Sequence, residues 1–137
     1  MFKVFNVAAS GMSAQNQRLN LVASNMANAD AVSSSIDQTY KSRQPFFRTL
    51  QNQLNPDDPT VGVKMAGVVE SQAPLVSEYN PHHPMANEDG YIFRPNVNLV
   101  EEMANMISAS RSYQSNIEVV NSAKRMATQT LQMGKGN

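Results

Sequence analysis

The residues of this 137-residue chain best equipped for chemistry are few. His82 and His83 are its two histidines, and they are adjacent. Neighbouring imidazoles point in different directions and rarely close on one ion. With no cysteine in the chain, no thiolate is available to complete a zinc site. The expectation is a solvated loop. Asp57-Asp58 and Glu88-Asp89 are acidic pairs in turn-like sequence, and they lack the ligand spacing of a calcium-binding loop. Ser10-Gly11-Met12-Ser13 is not a nucleophile elbow, because the glycine pattern is wrong and helical sequence surrounds it. No glycine-rich phosphate loop or dinucleotide fingerprint is present. Arg111 and Arg125 read as solvated or paired with acidic neighbours. No convergent set of titratable groups remains, so no catalytic residue, metal, cofactor or small-molecule substrate is expected.

Composition narrows the class further. Eleven Lys and Arg balance eleven Asp and Glu, a formal net charge of +0. A nucleic-acid binder needs a basic excess to neutralise phosphates, so that class is disfavoured. Zero net charge also removes self-repulsion between like copies. Asn, Ser and Gln together supply more than a quarter of the chain. Surfaces rich in uncharged polar groups suit many contacts, because no buried charge needs a counter-ion. Hydrophobic residues are 41% and aromatics 7%, with no Trp, which implies a thin aliphatic interior. Without cysteine there are no disulfides, and the composition fits a reducing or an oxidising compartment. The start, Met1-Phe2-Lys3-Val4-Phe5-Asn6-Val7, lacks the unbroken apolar run of a cleaved signal, and no stretch of about 20 apolar residues is long enough to span a membrane. The expectation is a chain without direct membrane insertion that is cytosolic, or leaves the cell by a route that reads no cleaved signal.

Proline sets the organisation. All seven prolines lie between residues 45 and 95. Proline inside a helix costs roughly 3 kcal/mol, so the two ends are free to be long helices and the middle is not. Residues 3–29 predict one helix. Phe5, Met12, Leu19 and Met26 recur every seven residues, and Ala8, Gln15 and Val22 fill the three-residue offset of a heptad seam. Gly11 interrupts it, and leaves room for a neighbouring backbone. Residues 98–133 predict a longer helix. Leu99, Met106, Tyr113, Val120 and Ala127 form one series; Met103, Ser110, Ile117, Lys124 and Leu131 form the other. Asn98 and Glu101 have capping-box spacing, Glu101 and Glu102 favour the positive end of the helix dipole, and Gly134 is a natural stop.

Between the helices, Tyr40–Leu50 is permissive for strand but interrupted by Pro45. Asn55-Pro56-Asp57-Asp58-Pro59 is a strong turn, Val61–Glu70 partly alternates like a strand, and Leu75–Tyr79 suggests another. Asn80–Pro95 reads as an extended Pro-rich stretch, and residues 30–39 as a flexible connection. The fold class expected is mainly α with a small β part: 1–30 as the N-terminal helix of an antiparallel coiled coil, 31–95 as connection and small β-rich middle, 96–137 as its C-terminal helix.

Both seams are narrow, since Met, Ala, Ser, Gln and Lys take many of their positions. A helix pair so sparsely apolar is marginal on its own. Val4, Val7, Leu21, Val100, Ile107 and Val119 lie off the seams and would be exposed in a two-helix monomer. Two arrangements stay open: an intramolecular core, and packing against other subunits.

Three stretches carry a resemblance. Ala8-Ala9-Ser10-Gly11-Met12, Gln15–Leu19 and Val22–Asn28 resemble the N-terminal signature of bacterial flagellar rod and hook proteins. Pro95–Met103 through Ala109–Asn116 is similar to the partner signature of the same family. Tyr79-Asn80-Pro81-His82-His83-Pro84-Met85-Ala86-Asn87 with Gly90-Tyr91, and the short total length, are similar to its proximal-rod members. Asn87 and Met26 depart from the residues common there, and residues 30–39 match least.

The resemblance implies a structural subunit of the flagellar basal-body rod, exported by the flagellar type III apparatus without a cleaved signal. Such a subunit polymerises helically in the periplasm, into a shaft that transmits torque and encloses the export channel. Implied partners are copies of itself, other rod proteins, the basal-body adapter and the ring and export complex. The implied seam pairs Phe5, Met12, Leu19, Val22 and Met26 with Leu99, Met103, Met106, Tyr113, Ile117 and Val120. Ser10, Gly11, Asn25 and Asn28 are the candidates for close inter-subunit approach. A second class stays open, a secreted coiled-coil adaptor or translocator that binds a single partner.

Overall fold

The proline-free ends do fold as helices. A computed structural model, describing residues 2–50 and 61–136, has the order α1 (Phe2–Ala27), β1 (Arg43–Thr49), β2 (Val63–Glu70), β3 (Val76–Tyr79), β4 (Tyr91–Arg94) and α2 (Leu99–Gly134). The turn expected at Asn55–Pro59 lies outside the described residues. The chain is mainly helical, with two small antiparallel strand pairs in the middle.

Helix α2 has 36 residues and so runs about 54 Å at about 1.5 Å per residue. Asn98 caps its start: the side-chain Oδ1 accepts from the backbone N–H groups of Val100 (3.1 Å) and Glu101 (3.3 Å). Glu101 and Glu102 occupy the first turn, where the helix dipole favours a negative charge. The helix ends at Gly134, and Lys135 closes it in the right-handed conformation, so the stop does not use glycine's left-handed freedom. At the end of α1, Asn28 supplies two donors to the Ser24 carbonyl, its backbone N–H at 3.1 Å and its side-chain Nδ2 at 2.8 Å.

The two helices pack antiparallel, and α1 also carries β1 and β2. Strand β1 runs through Pro45, which pairs with Val68. A two-stranded sheet consists of edges only, so a residue without an N–H fits there, and the register shifts directly after it, between Phe46 and Phe47. The second difference from expectation is β4, formed inside the Pro-rich stretch and paired with β3 from Val76–Arg94 to Tyr79–Tyr91. Tyr91-Ile92-Phe93-Arg94 is a short aromatic and β-branched run, and Ile92 is fully buried. The loop before it closes on Gly90 at φ +82°, where a side chain would collide with Tyr79 and Pro81. Residues 30–39 are held rather than free. Ser33 forms a bridge with Phe93, and the Thr39 hydroxyl donates to the Ser35 carbonyl at 2.7 Å.

The interior is small. Its buried apolar residues are Ala8, Ala14, Val22, Ile92, Ala109 and Ala123, four of them alanines. Among the described residues no helix is long and apolar enough to cross a membrane.

Candidate assembly interface

The helix seam mixes small and polar side chains with a few larger ones, Met106 and Tyr113 among them. On α1 the residues turned inward are Ala8, Gly11, Gln15, Arg18, Val22 and Asn25; on α2 they are Glu102, Met106, Ala109, Tyr113, Asn116, Val120 and Ala123. Three contacts define how they meet. Asn25 Nδ2 donates to Glu102 Oε2 at 3.1 Å, Arg18 Nη2 donates to Asn105 Oδ1 at 3.2 Å, and Gly11 lies against the Asn116 side chain. A methyl group on Gly11 would sit 2.8 Å from Asn116 Nδ2, so this glycine leaves room for the Asn116 side chain inside the subunit.

Asn25, 1% exposed, is the centre of the junction between the helices and β1. Its Nδ2 also donates to the Arg43 carbonyl at 2.8 Å. Its Oδ1 accepts from the Tyr40 hydroxyl at 2.7 Å and from the Arg43 backbone N–H at 3.0 Å. Both donors and both acceptor positions of the amide are used, which is what a buried Asn needs to avoid a desolvation cost. Glu102, 3% exposed, is the partner carboxylate. The Arg43 guanidinium lies 5.4 Å from the centre of the Tyr40 ring and forms an ion pair with Glu70 at 3.7 Å. The residue next to Arg43 is gripped from the other end of the chain: the Ser42 N–H donates to Asn96 Oδ1 at 2.7 Å, and Asn96 Nδ2 donates to the Ala73 carbonyl at 2.8 Å.

The larger apolar residues lie elsewhere. Phe2, Val4, Leu99, Val100, Met103, Ile107, Ile117, Val119, Met126, Leu131 and Met133 are exposed on the helices, Val100 at 77% and Met133 at 76%. In each helix, one heptad series of the sequence reading lies on the seam and the other is displaced by one residue. Ala8, Gln15 and Val22 face α2, and Met106, Tyr113 and Val120 face α1. Phe5, Met12, Leu19 and Met26 flank the seam, half-buried, while Gly11, Arg18 and Asn25 occupy it. Likewise Met103 and Ile117 point outward, and Glu102 and Asn116 take their places. The physical reason is local: Gly11 leaves room for the Asn116 side chain, and Asn25 finds its partners at Glu102 and Arg43. Ser10, Gly11, Asn25 and Asn28 all have close partners within the subunit. The Ser10 hydroxyl donates to the Val7 carbonyl at 2.7 Å and accepts from the Val63 N–H at 3.0 Å, which seats β2 on α1.

The residues weighed for chemistry are dispersed. His82 is exposed, and His83 Nδ1 accepts from the Met85 N–H at 3.0 Å. Glu88 and Asp89 lie in the loop before Gly90, Arg111 is exposed, and Arg125 Nη2 reaches the Ser122 hydroxyl at 3.2 Å. Asp57 and Asp58 fall outside the described residues. Tyr40, Arg43, Asn96, Asn105 and Asn116 are structurally central residues that apolar periodicity passes over. The available signal was a polar or glycine residue recurring one position from each apolar series.

Both ends of the chain match known protein families. Residues 5–33 match the family described as flagella basal body rod protein, and residues 88–133 match the flagellar basal body rod FlgEFG protein C-terminal family. The chain is 47% identical to the flagellar basal-body rod protein FlgC of Salmonella typhimurium over 135 residues, 98% of each chain. The chain belongs to the FlgC family. The same identity and coverage hold for FlgC of Escherichia coli O157:H7. FlgC of Borreliella burgdorferi is 33% identical over 150 residues, 99% of each chain. As a FlgC-family member the chain is a structural subunit of the flagellar basal-body rod, and the single-partner adaptor reading has no support from these relatives.

Proposed function

We propose that this FlgC-family subunit polymerises helically with its own copies and with other rod proteins, and that the outward apolar faces of α1 and α2 are the surfaces neighbours cover. The observation that carries the reading is the distribution of side chains: small and polar groups meet between the helices, and most of the large apolar residues of α2 are exposed, with Phe2 and Val4 exposed on α1. Isolated exposed hydrophobes are ordinary, but a helix that turns most of its large apolar residues outward leaves its best burial to be gained by association. Phe5, Met12, Leu19 and Met26 at the seam margin, with Leu99, Met103 and Ile117 on α2, belong to that surface. A helical array repeats one heterologous contact without closing on itself, and many such contacts per subunit make a stiff shaft for torque around an export channel.

The reading extends to the route. A chain whose helices are completed by neighbours stays easily unfolded for passage through the flagellar type III apparatus without a cleaved signal. Binding in the periplasm then supplies the missing stability. The basal-body adapter and the ring and export complex are the partners below it, and the subunit's role is non-enzymatic.

Ile117→Asp and Met103→Asp test this, because both positions are exposed in the lone subunit. Each variant is expected to be exported and to be absent from isolated basal bodies, with motility lost. Normal incorporation and swimming of both variants would overturn the packing surface.

A further inference from the structure

The polar groups on the seam have a regular placement. Reading antiparallel, Asn25 meets Glu102 and Gly11 meets Asn116, and the residue numbers in each pair sum to the same value. Between these layers α2 presents Ala109, and beyond them Ala123, both buried. The α2 series is therefore Glu102, Ala109, Asn116, Ala123: a polar layer and an alanine layer in alternation, one heptad apart.

The alanines discriminate little between registers, because so small a side chain packs against many partners, Arg18 opposite Ala109 among them, while the Arg18 guanidinium bonds Asn105 instead. The other layers do discriminate. If α2 slides one heptad either way, Asn116 meets Val4 or Arg18 in place of Gly11, and the space that accepts its side chain is gone. In the same two slips Asn25 meets Pro95 or Ala109, respectively, and loses the carboxylate at 3.1 Å that takes one of its two donors. A buried amide without partners is costly, whereas a mismatched alanine costs little.

We propose that the Gly11–Asn116 and Asn25–Glu102 layers form a register lock, which allows this helix pair one alignment despite a seam with few large apolar side chains. Single polar residues at the seam of a coiled coil fix alignment at a cost in stability, and here two layers separated by two heptads act together. The lock concerns pairing within one chain and does not rest on the rod reading.

The chain has no cysteine, so paired cysteines report alignment directly. One layer beyond Gly11 and Asn116 the seam brings residue 8 to residue 120, and a one-heptad slip brings it to residue 127. Ala8→Cys would be combined with Val120→Cys in one strain and with Ala127→Cys in another. Disulfides would be read by mass spectrometry from whole cells and from isolated basal bodies. With the natural layers, only the 8–120 bond is expected. With Asn25→Leu and Asn116→Leu added, the 8–127 bond is expected to rise from background to a level comparable with 8–120. Asn116→Ala alone, which removes one layer without adding bulk, is expected to give a smaller 8–127 fraction.

Persistence of the 8–120 bond alone in both altered seams would overturn the lock. So would loss of both bonds there while the natural seam keeps 8–120, since the layers would then supply pairing and not alignment. A natural seam that never forms 8–120 would remove the helix pairing itself. Correct cross-linking in cells without recovery in basal bodies would count against the rod reading and leave the lock standing.

Discussion

The two ends of α2 make opposite use of their side chains. At its start, Glu102 is buried and bonded to Asn25, Asn98 caps the first turn, and β1 is fastened alongside. Towards its far end, Ala123 is buried while Met126, Leu131 and Met133 are exposed. The first region is fastened by these internal polar contacts, although Leu99, Val100 and Met103 are exposed on its outer side. The second keeps its apolar groups in water and gains from any neighbour that covers them. Within one uninterrupted helix, stability therefore falls with distance from the junction. Amide exchange tests this directly: residues 20–27 and 102–110 are expected to be protected in the lone chain, and residues 124–134 to exchange fast. Uniform slow exchange along α2 would erase the contrast and would also count against completion of the helices by neighbours.

Substitutions sharpen the same contrast, and the largest effect is expected at its centre. Asn25→Ala strands the Glu102 carboxylate and the Arg43 N–H, and is expected to lower the opening free energy of junction amides by about 3 kcal/mol. Asn98→Ala removes the N-cap and is expected to cost about 1 kcal/mol, read at the first turns of α2. Tyr40→Phe deletes one of two donors to Asn25 Oδ1, and a loss of about 0.5 kcal/mol is expected from the same exchange measurement. At the other pole, Met133→Ser is expected to leave the lone chain within about 0.5 kcal/mol of the parent. Its effect should appear as reduced recovery in basal bodies. A Met133→Ser variant that lost stability as Asn25→Ala does would make the two ends equivalent.

Much of this was legible in the sequence, and the parts that were not share a cause. Proline position separated helices from middle, and heptad spacing found both helices, in which Val22 is buried and Met106, Tyr113 and Val120 are half-buried. Apolar periodicity then picked Met12, Leu19, Met103 and Ile117 for the remaining series, because it takes the large apolar residue to be the buried one. Here polar and small groups meet between the helices, so Gly11, Asn25 and Asn116 lie inside, Met12 and Leu19 are half-buried beside them, and Met103 and Ile117 turn out. Gly11 inside a helical run marks a place of close approach, but what approaches it, here the Asn116 side chain, depends on the partner helix, which spacing within one helix does not specify. Strand β4 was hidden by its setting among prolines, and β1 by Pro45, whose missing N–H matters only where a second strand would need it. The long-range pairs, Asn25 with residues 40 and 43, and Asn96 with residues 42 and 73, have no signature in local sequence.

The grip on residues 42 and 43 has a mechanical meaning. Two consecutive peptide N–H groups are held by two asparagines, Asn96 just before the long helix and Asn25 near the end of the short one. A strand fastened at a single point pivots there; fastened at two successive amides it can turn only about the line through them, and the Val63 N–H held by the Ser10 hydroxyl opposes that turn. The β1–β2 arm and the helices therefore move as one bracket, and a twist entering through either reaches the other without backlash.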